Sequence, residues 1–110
     1  MNINFAYSTG KDLVECSVKD ISELEKYIQQ LSIPKASLYL SPPNIKRGYL
    51  DFHTLDDGAI EMEIMEDNCV NEFAAVDVPM VSKVVKIAWS DNSNLQLRQK
   101  LNDLPIKWLT

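Results

Sequence analysis

What this chain has little of narrows its chemistry before any motif is considered. Three glycines in 110 residues are too few for a phosphate-cradling loop, and the chain contains neither a Gly-x-Ser-x-Gly elbow nor an HExxH pair. It has a single histidine, His53, so any ordinary general-base arrangement would have to run through that one imidazole. The two cysteines, Cys16 and Cys69, stand far apart with no CxxC, a pattern of reduced thiols rather than of a disulfide framework or a zinc site. No apolar run approaches the ~20 residues of a membrane span. The opening MNINFAYSTGKD lacks the basic start and long apolar stretch of a secretion signal, which sets a cytoplasmic protein as the expectation.

One further absence is local. From Gly48 to Ser82 there is no lysine or arginine, while Asp51, Asp56, Asp57, Glu61, Glu63, Glu66, Asp67, Glu72 and Asp77 make nine acids. The other seven acids and all eleven bases lie outside, so the segment carries −9 and the remainder +4 within a net charge of −5. An acidic balance argues against direct binding of nucleic acid, which needs a basic surface to displace counterions from phosphate. It suits a surface that receives a basic protein.

The length is that of one domain, residues 1–110, large enough to bury a core without staples. INFAY (3–7) sets Ile3, Phe5 and Tyr7 against Asn4 and Ala6, and LVECSV (13–18) sets Val14, Cys16 and Val18 on one face, so a first hairpin is expected. Cys16 is read there as a small buried apolar residue. Asp20 with Glu23 forms a capping box, and Ile21, Leu24, Tyr27, Ile28 and Leu31 recur at helical spacing. SLYL (37–40) reads as a strand and SPPNIKRG (41–48) as a loop, because adjacent prolines cannot join a ladder. EFAAVDV (72–78) reads as a strand. Asp77 and Pro79 open a helix whose apolar face is Val81, Val84, Val85 and Ala88. After the break SDNSN (90–94), LQLRQKL (95–101) is a short helix and PIKWL (105–109) a closing strand. Trp89 and Trp108 are assigned to packing. Strands on both sides of a helix with little α/β alternation predict an α+β fold, a mainly antiparallel sheet with two to three helices packed on one face.

In the middle of the chain the register itself is legible. YLDFHTL (49–55) places Leu50 and Phe52 on one face, and AIEMEIM (59–65) places Ile60, Met62 and Ile64 on one face. A two-residue Asp57-Gly58 turn would set Phe52 against Glu63 and spoil both. A three-residue loop Asp56-Asp57-Gly58 sets Phe52 against Met62 and Leu50 against Ile64, and it needs positive φ at its last position, which glycine supplies. His53 then faces Glu61 and Asp51 faces Glu63 on the side away from the core, with Asp56 and Asp57 at the tip and Glu66 and Asp67 at the far end. Opposed carboxylates cost roughly a few tenths of a kcal/mol, a repulsion that a cationic partner would relieve while steering its approach. Tyr49, Asp51, His53, Asp56, Asp57, Glu61, Glu63, Glu66 and Asp67 are accordingly the candidate binding residues, with Tyr49 or His53 as anchors. No metal or cofactor is expected, since the calcium-loop spacing is missing. A small enzyme centred on His53 and the carboxylates is the catalytic alternative.

The order of elements, with VDVP (76–79) heading a helix and PIKW (105–108) near the end, resembles the small bacterial immunity proteins that accompany polymorphic toxins, including those of contact-dependent growth inhibition. The resemblance implies a stoichiometric inhibitor without catalysis of its own. It would bind the C-terminal domain of a cognate toxin, such toxins often being nucleases with basic clefts. The competing expectation is a non-catalytic interaction module or a subunit of a larger bacterial assembly.

Overall fold

The computed structural model describes residues 3–42, 45, 48–66, 71–89 and 96–109. Its centre is a seven-stranded antiparallel sheet in the order β2-β1-β3-β4-β5-β6-β7. The strands are β1 (Ile3–Thr9), β2 (Val14–Val18), β3 (Ala36–Leu40), β4 (Tyr49–Thr54), β5 (Ile60–Met65), β6 (Glu72–Val76) and β7 (Lys107–Trp108). The α+β architecture expected from the sequence is the one observed.

Alternation along the strands sorts the sheet into two faces. One carries Phe5, Leu38, Leu40, Leu50, Phe52, Ile60, Met62, Ile64 and Ala74, all buried. The helices cover this face. Between β2 and β3 the capping box forms as read: Asp20 accepts from the Ser22 N–H at 2.9 Å, and the Asp20 N–H donates to Glu23 at 3.1 Å. The helix it opens is less regular than its spacing predicts. Only α1 (Glu25–Gln29) is α-helical, between 3-10 turns at Ile21–Leu24 and Gln30–Ser32. A segment this short cannot propagate on propensity alone, and the buried Leu24, Ile28 and Leu31 hold it to the sheet. The buried Thr54 hydroxyl donates to the Leu31 carbonyl at 2.7 Å, tying its end to β4.

The second helix, α2 (Val78–Trp89), begins after Asp77, whose side chain accepts from the Met80 N–H at 2.9 Å. It buries Val81, Val84, Val85 and Ala88, as its periodicity requires. The Ser82 hydroxyl donates to both oxygens of Glu25, at 2.9 and 3.0 Å, joining α2 to α1. A last helix, α3 (Leu97–Lys100), is fixed by Leu97 and Leu101 in the core and by Arg98. The Arg98 guanidinium lies 3.6 Å from the Trp108 ring centre and pairs with Glu72 at 2.9 Å. Trp89 and Trp108 are half-buried and pack against the core. Cys16, expected to be buried, is only half-buried because β2 is the outermost strand. Cys69 and the SDNSN break lie outside the described residues.

The β4–β5 hairpin has the register anticipated from the three-residue loop: Leu50 opposite Ile64, Asp51 opposite Glu63, Phe52 opposite Met62 and His53 opposite Glu61. Gly58 takes φ +88°, and the Leu55 and Ala59 backbone close the turn at 2.7 Å. Gly48, at the start of β4, is needed for a different reason. A Cβ there would lie 1.7 Å from the Met65 carbonyl oxygen.

Candidate protein-binding face

The helices occupy one side of the sheet and, among the described residues, no helix covers the other. By register that open face carries Asn4, Ala6 and Ser8 on β1, Tyr39 on β3, Tyr49, Asp51 and His53 on β4, Glu61, Glu63 and Met65 on β5, and Phe73 and Ala75 on β6. Its middle is acidic and aromatic. Among the described strand residues Lys107, on the edge strand β7, is the one base on this face.

Asp51 sits between the two kinds of group. Across one ladder it faces Glu63, and across the other it faces Tyr39. The Tyr39 and Tyr49 rings stack at 5.4 Å between centroids and 29° between planes. The Asn71 amide bridges Tyr49 and Glu63, donating to the Tyr49 hydroxyl oxygen at 3.1 Å and to the Glu63 carboxylate. At the other end of β4, His53 Nε2 lies 3.6 Å from Glu61 Oε1, both groups part-exposed. An open depression of about 680 Å³ begins beside Tyr39 and Ser41 and reaches past Ala6 and Glu15 to Cys16 and Trp89, so it is not confined to this face.

The electrostatics of the face are those of charge held where it is not comfortable. Burial is the largest influence on the Asp51 carboxyl and pushes its pKa up. His53 pulls it down, and the opposed Glu63 charge pushes it up again. The Tyr49 phenol is raised too, first by burial and then by the Glu63 charge.

The nine acids of the basic-free segment do not all belong here. Asp51, Glu61 and Glu63 lie on the open face, and Asp56 and Asp57 are exposed at the hairpin tip, where Asp57 also accepts from the Ala59 N–H at 2.9 Å. Glu66, a candidate binding residue by sequence, is instead 7% exposed and accepts the Leu97 and Arg98 N–H groups, each at 3.0 Å. Its carboxylate is committed to the first turn of α3, so it is withdrawn from the binding set. Glu72 pairs with Arg98 on the helix side, and Asp77 caps α2. Asp67 lies outside the described residues. Part of the charge segregation thus serves helix ends, and the candidate residues that the structure places on the open face are Tyr49, Asp51, His53, Glu61 and Glu63, with Asp56 and Asp57 at the hairpin tip.

Sequence reasoning missed Tyr39, Asn71 and Phe73. Tyr39 is 38% exposed, high for a large ring, and the alternation of SLYL against its apolar neighbours already places it opposite the core. Its position beside Asp51 depends on the pairing of β3 with β4, which no local pattern specifies; most of the 43–47 stretch between them lies outside the described residues.

Among the described residues no group of three histidine, cysteine, aspartate or glutamate side chains is placed to hold a metal ion, and no helix is long and apolar enough to cross a membrane. The chain matches no protein-family model, no curated protein and no solved structure.

Proposed function

We propose that this chain is an immunity-type inhibitor that binds a basic toxin domain, of nuclease type, through its open sheet face. The observation that carries the reading is the opposition of Asp51 and Glu63, on a face that no described helix covers, beside the stacked Tyr39 and Tyr49. Two facing carboxylates with no base between them among the described residues repel, whereas an arginine or lysine arriving from a partner neutralises both and lies over an aromatic ring. Complementary charge of this kind accelerates encounter and selects the partner. The inhibitor acts by covering the surface that nucleic acid would occupy on the toxin. It performs no catalysis of its own and works in the cytoplasm of the cell that makes the toxin. The immunity role itself comes from the resemblance in the order of elements and in the VDVP and PIKW segments.

The test is co-expression with the C-terminal domain of the polypeptide encoded immediately upstream, followed by pull-down and binding kinetics at several salt concentrations. A stoichiometric complex that weakens with salt, and whose association slows in the double variant Glu61→Lys/Glu63→Lys, is the expected result. No complex with a soluble, folded upstream domain would remove the immunity reading in favour of a general interaction module. A complex indifferent to salt and to charge reversal would keep the inhibitor and discard the acidic face.

A further inference from the structure

The outer edge of β2 supports an inference that does not depend on the acidic face. β2 ends the sheet, and among the described residues no strand pairs with its outer side. Which of its backbone groups point outward follows from the ladders. The Leu55 N–H donates to the Ala59 carbonyl at 2.7 Å, so Leu55 and Ala59 form a hydrogen-bonded pair in the β4–β5 register. Such pairs alternate with non-hydrogen-bonded ones along an antiparallel ladder. Followed through β4, β3 and β1 in their observed registers, the alternation makes Val14, Cys16 and Val18 the β2 residues that bond to β1. The Leu109 N–H to Phe73 carbonyl bond, at 2.8 Å, demands the same parity from the opposite end of the sheet. Glu15 and Ser17 therefore turn their N–H and C=O groups outward. Leu13 and Val14 beside them are 60% and 44% exposed, and the strand contains neither a proline nor a lysine, two devices that commonly guard such an edge.

We infer that two copies of this chain pair along β2, antiparallel, about a two-fold axis at Cys16. Outward-turned residues must meet outward-turned residues, which leaves three possible centres. A centre at Glu15 would set the two Glu15 carboxylates against each other. A centre at Ser17 would set Glu15 against Lys19 of the second copy, but the Lys19 N–H is already donated to Glu23 at 2.8 Å. A centre at Cys16 sets Glu15 against Ser17 in both directions, opposes no like charges within β2, and brings the exposed Val14 against Val18 of the second copy. This contact is isologous and closes on itself. The axis stands perpendicular to the sheet, so both helical layers lie on one side and both acidic faces on the other.

Cys16 reports on that geometry. At a non-hydrogen-bonded cross-strand position the two Cα atoms come to about 4.5 Å, within the roughly 4.4–6.8 Å a disulfide spans. In a Cys69→Ser chain, added dipyridyl disulfide is expected to convert one Cys16 to its thiopyridyl adduct. Cys16 of the second copy then displaces thiopyridone and leaves a covalent dimer. Sedimentation of the reduced chain should show a reversible monomer–dimer equilibrium. Ser17→Pro removes an outward N–H and no bond to β1, so it should remain folded by circular dichroism, sediment as a monomer and fail to cross-link. A reduced chain that stays monomeric up to millimolar concentration would overturn the inference. So would a dimer that neither cross-links through Cys16 nor responds to Ser17→Pro. If Ser17→Pro unfolds, sedimentation and cross-linking of the Cys69→Ser chain decide alone.

Discussion

Asp51 and Glu63 stand directly opposite each other across the β4–β5 ladder, on the face of the sheet that no described helix covers. Across the described ladders no lysine or arginine stands beside them: Glu63 is bridged by a neutral amide from Asn71, and His53, which draws the Asp51 pKa only partly back down, is paired with Glu61. The free chain therefore keeps a repulsion that a different arrangement of the same residues would remove.

The first prediction concerns Asp51. Its carboxyl is raised by burial, lowered by His53 and raised by Glu63, so the folded chain holds the Asp51 proton more tightly than the unfolded chain does. A group shifted in that direction adds stability below its unfolded pKa and loses it as pH rises through the folded value. At neutral pH its charge is a cost. Asp51→Asn should stabilise the free chain at neutral pH by roughly 0.2–1 kcal/mol and bring no gain in acid, while weakening the complex. Urea unfolding of both chains at the two pH values checks this, and a loss of stability at neutral pH would contradict it.

Glu66 is predicted to behave in the opposite way. Removing its carboxylate leaves the Leu97 and Arg98 N–H groups without their acceptor, and an unsatisfied buried donor costs about 1–3 kcal/mol. Glu66→Ala should lower the unfolding midpoint and change the fluorescence of Trp108, because Arg98, which covers that ring, hangs from the same turn. The salt dependence of partner association should not change. A Glu66→Ala chain of normal stability with a shallower salt slope would return this residue to the binding set.

The contrast between these two acids marks where sequence reasoning reaches its range. Local rules were enough for the hairpin: the apolar sets of 49–55 and 59–65 match in one register, and a glycine stands where that register needs positive φ. They were also enough for the Asp20 capping box and the apolar face of α2. Glu66 looks like one more member of the acidic run, because its partners lie 31 and 32 positions along the chain. Tyr39 likewise reaches Asp51 only through the β3–β4 pairing. Residues whose placement is set by a neighbour distant in sequence leave no periodic signal, and Glu66 and Tyr39 are both of that kind.

Two glycines should respond differently to the same substitution. Gly58→Ala meets nothing within 4 Å but must hold φ near +88°, which costs roughly 1–2 kcal/mol for a residue with a Cβ. Gly48→Ala drives its Cβ to 1.7 Å from the Met65 carbonyl oxygen and 2.7 Å from its carbon. Both are backbone atoms, so the β4–β5 ladder itself would have to shift, at a cost of about 3 kcal/mol or more. Urea midpoints should fall in the order Gly48→Ala below Gly58→Ala below the parent, and the reverse order for the two variants would mean that the end of the ladder yields easily.

The last prediction separates the two attractions assigned to the open face. Tyr39 stacks on Tyr49 and is 38% exposed, so little of the core depends on it, and a guanidinium lying on its ring would be held by the ring's negative face rather than by the hydroxyl. Tyr39→Phe keeps that face and should bind the partner as the parent does. Tyr39→Ala should weaken binding by about 1–2 kcal/mol, mainly through faster dissociation, because desolvated aromatic contacts act on the lifetime of a complex. Charge reversal at Glu61 and Glu63 should act mainly on association instead. Surface plasmon resonance on the three variants resolves the two rates. If Tyr39→Ala dissociates no faster than the parent while charge reversal still slows association, the acids alone make the contact and the tyrosine pair is ordinary sheet surface.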